Sequence, residues 1–546
     1  MNPTPATKKT AAAPGPKSRA GAPPAATGLV AFVGAGPGEE GLLTLRAAEL
    51  LSRADLVVGR PELTGPLAHR LHEQAAVADE ADPDADARTL IKAANAGQLA
   101  VRMFSGDPFL FGQASRQADA CARARVPVEI VPGVPSATGV PAFAGIPLTT
   151  DTGGLRVVHA SDISQLDGPT PESLVVLGAE AGPVDTAKML MATGWADTTP
   201  IALTWNGTTT DQRTVVGRLG SVAADLKAAG VSVLTEPGPA LAVVGEAAAH
   251  EGLSWFESKP LFGWRVLVPR TKEQAASLSD RLRSYGAVPQ EVPTIAVEPP
   301  RTPQQMERAV KGLVTGRYQW IAFTSVNAVR AVREKLEEYG LDARAFAGVK
   351  VAAVGEQTSA ALGRFGIKPD LVPGEEQSSE GLAAAWPPYD DVLDPINRVL
   401  LPRADIATET LVARLTDLGW EAEDVTAYRT VRAAPPPAPV REAIKGGGFD
   451  AVLFTSSSTV RNLIGIAGKP HAVTVIAVIG PQTAQTAAEY GLRVDVKAPK
   501  PSAMALAEAL AEHGARLRET AIAAGEPVRK PSERRRGGRR RLPMKV

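Results

Sequence analysis

Three stretches in the second half of the chain place hydroxyl and amide side chains where an apolar run gives way to a polar, helix-forming one: Thr324-Ser325, Thr455-Ser456-Ser457 and Gln482-Thr483. The first turn of a helix leaves backbone N–H groups unpaired and carries the positive end of the dipole. A Ser or Thr there caps the helix or, with its neighbours, holds an anion. For any single residue capping is the simpler reading. Several such ends on a pair of related lobes favour an anion-lined cleft between them. Arg403 ends an apolar run and either pairs with a carboxylate or faces solvent. In the first half, Val33-Gly34-Ala35-Gly36-Pro37-Gly38 allows backbone to approach a ligand closely, a weak signal alone. The single cysteine, Cys121, excludes an intramolecular disulfide and a multi-cysteine metal cluster, and reads as a core or surface thiol rather than a nucleophile.

The elements that must carry these residues are written twice. Trp264 to Arg270 returns as Asn397 to Arg403, each an apolar strand ending in Pro-Arg. Tyr318 to Ser325 returns as Phe449 to Ser456, and Val349 to Ala361 as Val473 to Thr486, all at an offset of roughly 130 residues. Strands that are near-continuous apolar runs, alternating with helices, predict two related parallel α/β lobes.

These blocks resemble uroporphyrinogen-III synthases. The marks are Phe323 to Val329 and Phe454 to Val460, the stretch Ala477 to Ala484, and Ala427-Tyr428-Arg429-Thr430. The resemblance implies two flavodoxin-like lobes joined by a β-ladder hinge. The first lobe would combine about 262–297 with 432–515, and the second would run from about 301 to 428. It also implies the substrate, hydroxymethylbilane, which is closed with loss of water and inversion of the last pyrrole ring, without metal or organic cofactor. Tyr428 matches the family's tyrosine and is the candidate proton donor to the leaving hydroxyl; the other reading is a tyrosine packed at the hinge. Thr324, Ser456 and Thr483 match hydroxyls that would hold substrate carboxylates, and positioning by such groups would supply most of the catalysis.

The first half resembles the tetrapyrrole methylase family, most closely uroporphyrinogen-III C-methyltransferase. The resemblance rests on the Val33 to Gly38 turn, Ser105 to Gly112, Val131 to Ala137, Gly145 to Thr149, Asn206 to Thr209 and Pro239 to Glu246. It implies two α/β subdomains with S-adenosylmethionine between them, on the side of Pro37, Gly106, Asp107, Leu110 and Gly207. The family's assigned base and acid are missing. Arg60 stands where the family's aspartate would be, and residues 75 to 90 lack its Gly-Lys-Arg motif. Losing both groups would ordinarily cost orders of magnitude in rate. The domain is therefore expected to be weakened, retargeted or structural, unless other residues replace the pair. A fully bifunctional synthase and methyltransferase, and a non-catalytic tetrapyrrole-binding protein, stay open as alternatives.

At 546 residues the chain exceeds a single core. Lys+Arg and Asp+Glu number 59 each, so net charge selects no partner. No apolar run reaches a membrane span and no signal-peptide core is present, which leads to the expectation of a cytoplasmic protein without membrane contact. Residues 1–27 are expected to be disordered. The methylase-like domain is expected over 28–256, the synthase domain over 262–515, and a basic tail over 516–546. That tail reads as solvated, with at most a weak nucleic-acid contact, because no aromatic is interleaved among its arginines. The methylase resemblance allows a homodimer.

Overall fold

The computed structural model describes residues 28–537 except 81, 112–113, 150–152, 180–181, 232–239, 251, 271, 375 and 407–408. The expected disordered segment 1–27 lies outside the described residues. So does the tail from 538 onward. The chain divides after Phe262 into two compact units.

The first unit holds two five-stranded sheets. Strands β1 (Leu29–Gly34), β2 (Leu56–Gly59), β3 (Ala76–Asp79), β4 (Leu99–Phe104) and β5 (Val128–Val131) are all parallel, in the order β3-β2-β4-β1-β5. Strand β1 is buried on both faces, which is why it reads as an unbroken apolar run. The second sheet comprises β6 (Leu155–His159), β7 (Ser173–Leu177), β8 (Pro200–Trp205), β9 (Arg213–Arg218) and β10 (Ala240–Val244), in the order β6-β7-β10-β8-β9. Only β6 and β7 run parallel in it. The helix Ser136–Ala144 connects the two sheets along the chain and packs Ala137 and Val140 on the second, and Gly145 ends it at φ 75°, a left-handed turn that suits glycine.

The second unit also holds two sheets, and their strands interleave along the chain. One consists of β11 (Arg265–Val268), β12 (Val288–Glu291), β18 (Ala451–Phe454), β19 (Val475–Val478) and β20 (Val496–Lys497), all parallel in the order β12-β11-β18-β19-β20. The other consists of β13 (Ile295–Glu298), β14 (Trp320–Phe323), β15 (Lys350–Ala353), β16 (Arg398–Ala404) and β17 (Glu421–Arg432), in the order β13-β17-β16-β14-β15. Strand β17 is 12 residues long and outruns β16. Its last four residues would leave their backbone groups unpaired, and β13 takes them in antiparallel register, Glu298 opposite Arg429. Residues 295–297, expected in the first lobe, therefore belong to the second lobe's sheet. The two passages between lobes touch: Ala433 N donates to Thr294 O (3.3 Å).

The boundary expected at 515 also shifts. The helix Ala503–Ala523 runs past it, because its alanine-rich sequence continues to favour helix. Beyond it the chain folds back. Pro531 is buried, and Ser532 N donates to Asp450 Oδ1 (2.9 Å) while Arg265 N donates to Oδ2 (2.8 Å). The start of the basic segment is thus packed on the strand-start end of this sheet rather than solvated.

Candidate active site

The strands of a parallel sheet end on one edge, and ligands bind in the crevice outside that edge. In the second lobe Ser325 lies two residues past β14 and caps the helix Val326–Glu338. Its Oγ accepts from Ala328 N (3.1 Å) and shares a 2.9 Å hydrogen bond with the Tyr428 hydroxyl. Tyr428 lies where β17 changes partner. It is the last residue paired with β16, after a bulge that leaves Ala427 unmatched, and Arg429 is the first paired with β13. A bulge re-aims a side chain. Here the phenol ring is 7 % exposed and its hydroxyl meets the helix cap. Thr324, half-buried, precedes the cap.

The first lobe repeats the device without a tyrosine. Ser456 caps the helix Ser457–Ala467 in a reciprocal capping box with Thr459, whose N–H and hydroxyl both bond to it (3.2 Å each), and Ser456 Oγ meets Ser458 Oγ at 2.8 Å. Ser457 Oγ donates to Gln482 O (3.2 Å) and contacts Thr486 Oγ1 (2.9 Å), stitching together the helix starts after β18 and β19. Gln482 is exposed at the edge and Thr455 half-buried. Thr483, in the first turn of the helix that follows β19, is buried.

Arg403 is not a free carboxylate receptor. It is 4 % exposed, and its guanidinium grips the Asp424 carboxylate of the adjacent strand with two hydrogen bonds, one of 2.6 Å. Glu409 stands 3.7 Å away. The Asp424 hydrogen bonds hold its pKa above the ordinary arginine value against the opposing effect of burial. Its counterpart in the repeat, Arg270, is half-buried beyond β11 and burial pushes its pKa down. Arg270 carries the same Pro-Arg strand ending as Arg403, and that repeat is the signal that marks it.

In the first unit the glycine loops converge. Gly36 and Gly106 exchange backbone hydrogen bonds (3.3 and 2.8 Å). A Cβ on Gly133 would stand 2.2 Å from Gly106 O, so only glycine fits there. Asp107 braces the same loop, accepting from Phe109 N (2.8 Å) and Gly133 N (3.1 Å). Pro37 packs on Gly139, Gly207 on Val140, and Glu39 N donates to Thr208 Oγ1 (3.0 Å) across the two sheets. Pro37, Gly106, Asp107 and Gly207 thus gather at one seam, while Leu110 sits on an exposed loop beside it. Arg60 pairs with Glu80 at 3.6 Å, and His159 with Ser161 at 3.0 Å. Among the described residues no group of three or more His, Cys, Asp or Glu could hold a metal, and no helix is long and apolar enough to cross a membrane.

Residues 276–508 match the family described as uroporphyrinogen-III synthase HemD, and residues 29–223 match the tetrapyrrole (corrin/porphyrin) methylases. The porphyrin biosynthesis protein HemD of Ruminiclostridium josui is 32% identical over 486 residues, which cover 85% of this chain and 94% of that protein. The chain belongs to the HemD family. Siroheme synthase 1 of Klebsiella pneumoniae is 33% identical over 249 residues, covering 42% of this chain and 51% of that protein. The uroporphyrin-III-C-methyltransferase structure from Thermus thermophilus aligns with 41% of this chain and 94% of that chain at 30% identity and a TM-score of 0.35. The HemD-type synthase domain contains both serine-capped helix starts and Tyr428, and the methylase domain contains the glycine seam.

Proposed function

We propose that the second unit closes hydroxymethylbilane to uroporphyrinogen III, and that the Ser325–Tyr428 pair assists departure of the terminal hydroxyl. The observation that carries this reading is the 2.9 Å hydrogen bond between a phenol and a helix cap at the carboxyl edge of a parallel sheet. A phenol held by a serine that is itself fixed on a backbone N–H is a positioned donor. Loss of the hydroxyl as water leaves an azafulvene, whose attack at the substituted carbon of the last ring gives the spiro intermediate that inverts that ring. The helix starts at Thr324-Ser325, at Thr455, Ser456 and Ser457, and at Gln482 hold substrate carboxylates and keep the chain coiled. The reaction uses no metal or organic cofactor. The lyase works in the cytoplasm, in porphyrin and haem biosynthesis.

The first unit, in the same reading, binds S-adenosylmethionine at the seam of Pro37, Gly106, Asp107 and Gly207, with Leu110 beside it, and is a poor methyltransferase. Support comes from the intact glycine seam together with Arg60 in place of the family's acidic base. Self-association as a homodimer would run through this unit. The test supplies hydroxymethylbilane to the full chain and resolves the isomers by chromatography. Type III product is expected, and type I alone would defeat the synthase reading. Adding S-adenosylmethionine should leave that product unmethylated; rapid dimethylation would establish the bifunctional alternative instead.

A further inference from the structure

Four charged side chains form a chain at the carboxyl edge of the first unit's parallel sheet. Arg60 follows β2, Glu80 follows β3, Arg102 lies in β4, and Asp86 lies on the helix Pro83–Asn95. Arg60 Nε is 3.6 Å from Glu80, Arg102 Nη2 is 3.2 Å from Glu80, and Arg102 Nε is 3.3 Å from Asp86. The members differ sharply in burial: the Arg60 side chain is 57 % exposed and that of Arg102 only 3 %. Arg102 also donates to Met103 O (2.6 Å) and lies 4.6 Å from the centre of the Phe104 ring. Arg102 and Asp86 are therefore locked in place. Glu80 has a closer partner in Arg102 than in Arg60, so it stays neutralised if Arg60 leaves. An exposed, stretched pair such as Arg60–Glu80 contributes little to stability. Arg60 is thus the movable cation of the four.

Beside it, the loop after β4 exposes Phe109, Leu110 and Phe111, with Phe109 58 % exposed. Strand β4 is the neighbour of β2 in the sheet, so this loop adjoins the one that bears Arg60. A contiguous exposed apolar patch at the carboxyl ends of parallel strands marks a binding surface. A planar guanidinium is the group that matches a carboxylate bidentately. Apolar surface flanked by a releasable guanidinium fits a ligand with apolar ring faces and a carboxylate rim.

We propose that Arg60 is the carboxylate-binding residue of the first unit, that it engages the rim of a polycarboxylate tetrapyrrole of the class the second unit makes, and that the Arg60–Glu80 pair is its resting form. This rests on the reading of the first unit as a methylase-fold domain, and tethering to the second unit would keep such a ligand locally concentrated.

The experiment titrates the full-length chain with uroporphyrin III and follows fluorescence quenching. The second unit's cleft adds a phase independent of Arg60 that every variant shares. Arg60→Ala should weaken the remaining phase about tenfold, the scale of one charged hydrogen-bonding contact. Arg60→Lys should recover part of it, and Glu80→Gln should tighten it roughly twofold or more by removing the competitor. An Arg60→Ala isotherm that overlays that of the unmodified chain overturns the proposal. So does Glu80→Gln weakening as much as Arg60→Ala, because Glu80 would then be a ligand group rather than a resting partner. S-adenosylmethionine binding is titrated in parallel. Its absence alone sinks the cofactor reading, whereas an isotherm indifferent to Arg60 with the cofactor still bound sinks only this proposal.

Discussion

Ser325 and Ser456 occupy equivalent places in the two lobes and cap their helices with nearly the same backbone, φ −161° and −168°. What their side chains reach differs. Ser456 closes a capping box with Thr459 and bonds to Ser458, all within one turn. Ser325 spends its second bond on Tyr428, 103 residues away, at the point where β17 leaves β16 for β13. Duplication thus supplies two serine-capped helix starts, and the strand that passes between lobes brings a phenol to one of them alone. The asymmetry follows from topology: only the second lobe contains β17, so only its cap lies beside the partner switch.

The largest expected effect comes from removing that asymmetry. Tyr428→Phe should lower kcat for type III formation about 100-fold, the range of one positioned proton donor, while the helix Val326–Glu338 keeps its cap and the thermal midpoint barely moves. A variant with at least half the parental kcat would reduce Tyr428 to a packing residue. A second break separates binding from framework. Arg403→Ala leaves Asp424 without its guanidinium. Loss of one partner from a buried pair costs 3–5 kcal/mol, and the half-exposed Asp424 brings the expectation down to about 2 kcal/mol. Denaturant midpoints should report that loss, with KM unchanged in the folded fraction. A raised KM at unchanged stability would restore Arg403 to the substrate site.

These residues also show what the sequence could and could not convey. Ser325 and Ser456 are legible because a cap is local: an apolar strand, a hydroxyl and a polar helix are consecutive. Tyr428 is not legible by pattern, since its place depends on a bulge and on β13, more than a hundred residues earlier, and only family resemblance pointed to it. Arg403 misleads for the opposite reason. Its Pro-Arg ending is a local signal, but its partner Asp424 comes from the neighbouring strand, and nothing in the spacing of 21 residues announces the pairing. The Arg60–Glu80–Arg102–Asp86 chain is equally hidden, because it is assembled by strand order. The α/β character of both halves was open to reading, since buried parallel strands must be apolar throughout. The helix Ala503–Ala523 outruns the repeat, and its alanine-rich composition is the signal that carries it past 515.

The smallest effect is the most discriminating. Ser325→Ala and Ser456→Ala each remove one cap and should cost about 1 kcal/mol apiece in denaturant unfolding. Equal stability losses are expected, because both caps satisfy the N–H of the third helical residue. Turnover should separate them. Ser325→Ala also strips Tyr428 of its hydrogen-bond partner, so kcat should fall several-fold more than in Ser456→Ala. In Tyr428→Phe the same Ser325→Ala change should add almost nothing to the kinetic loss, because coupled residues are not additive. Additive losses in that double-mutant cycle would mean that the 2.9 Å contact is packing geometry without a share in the reaction.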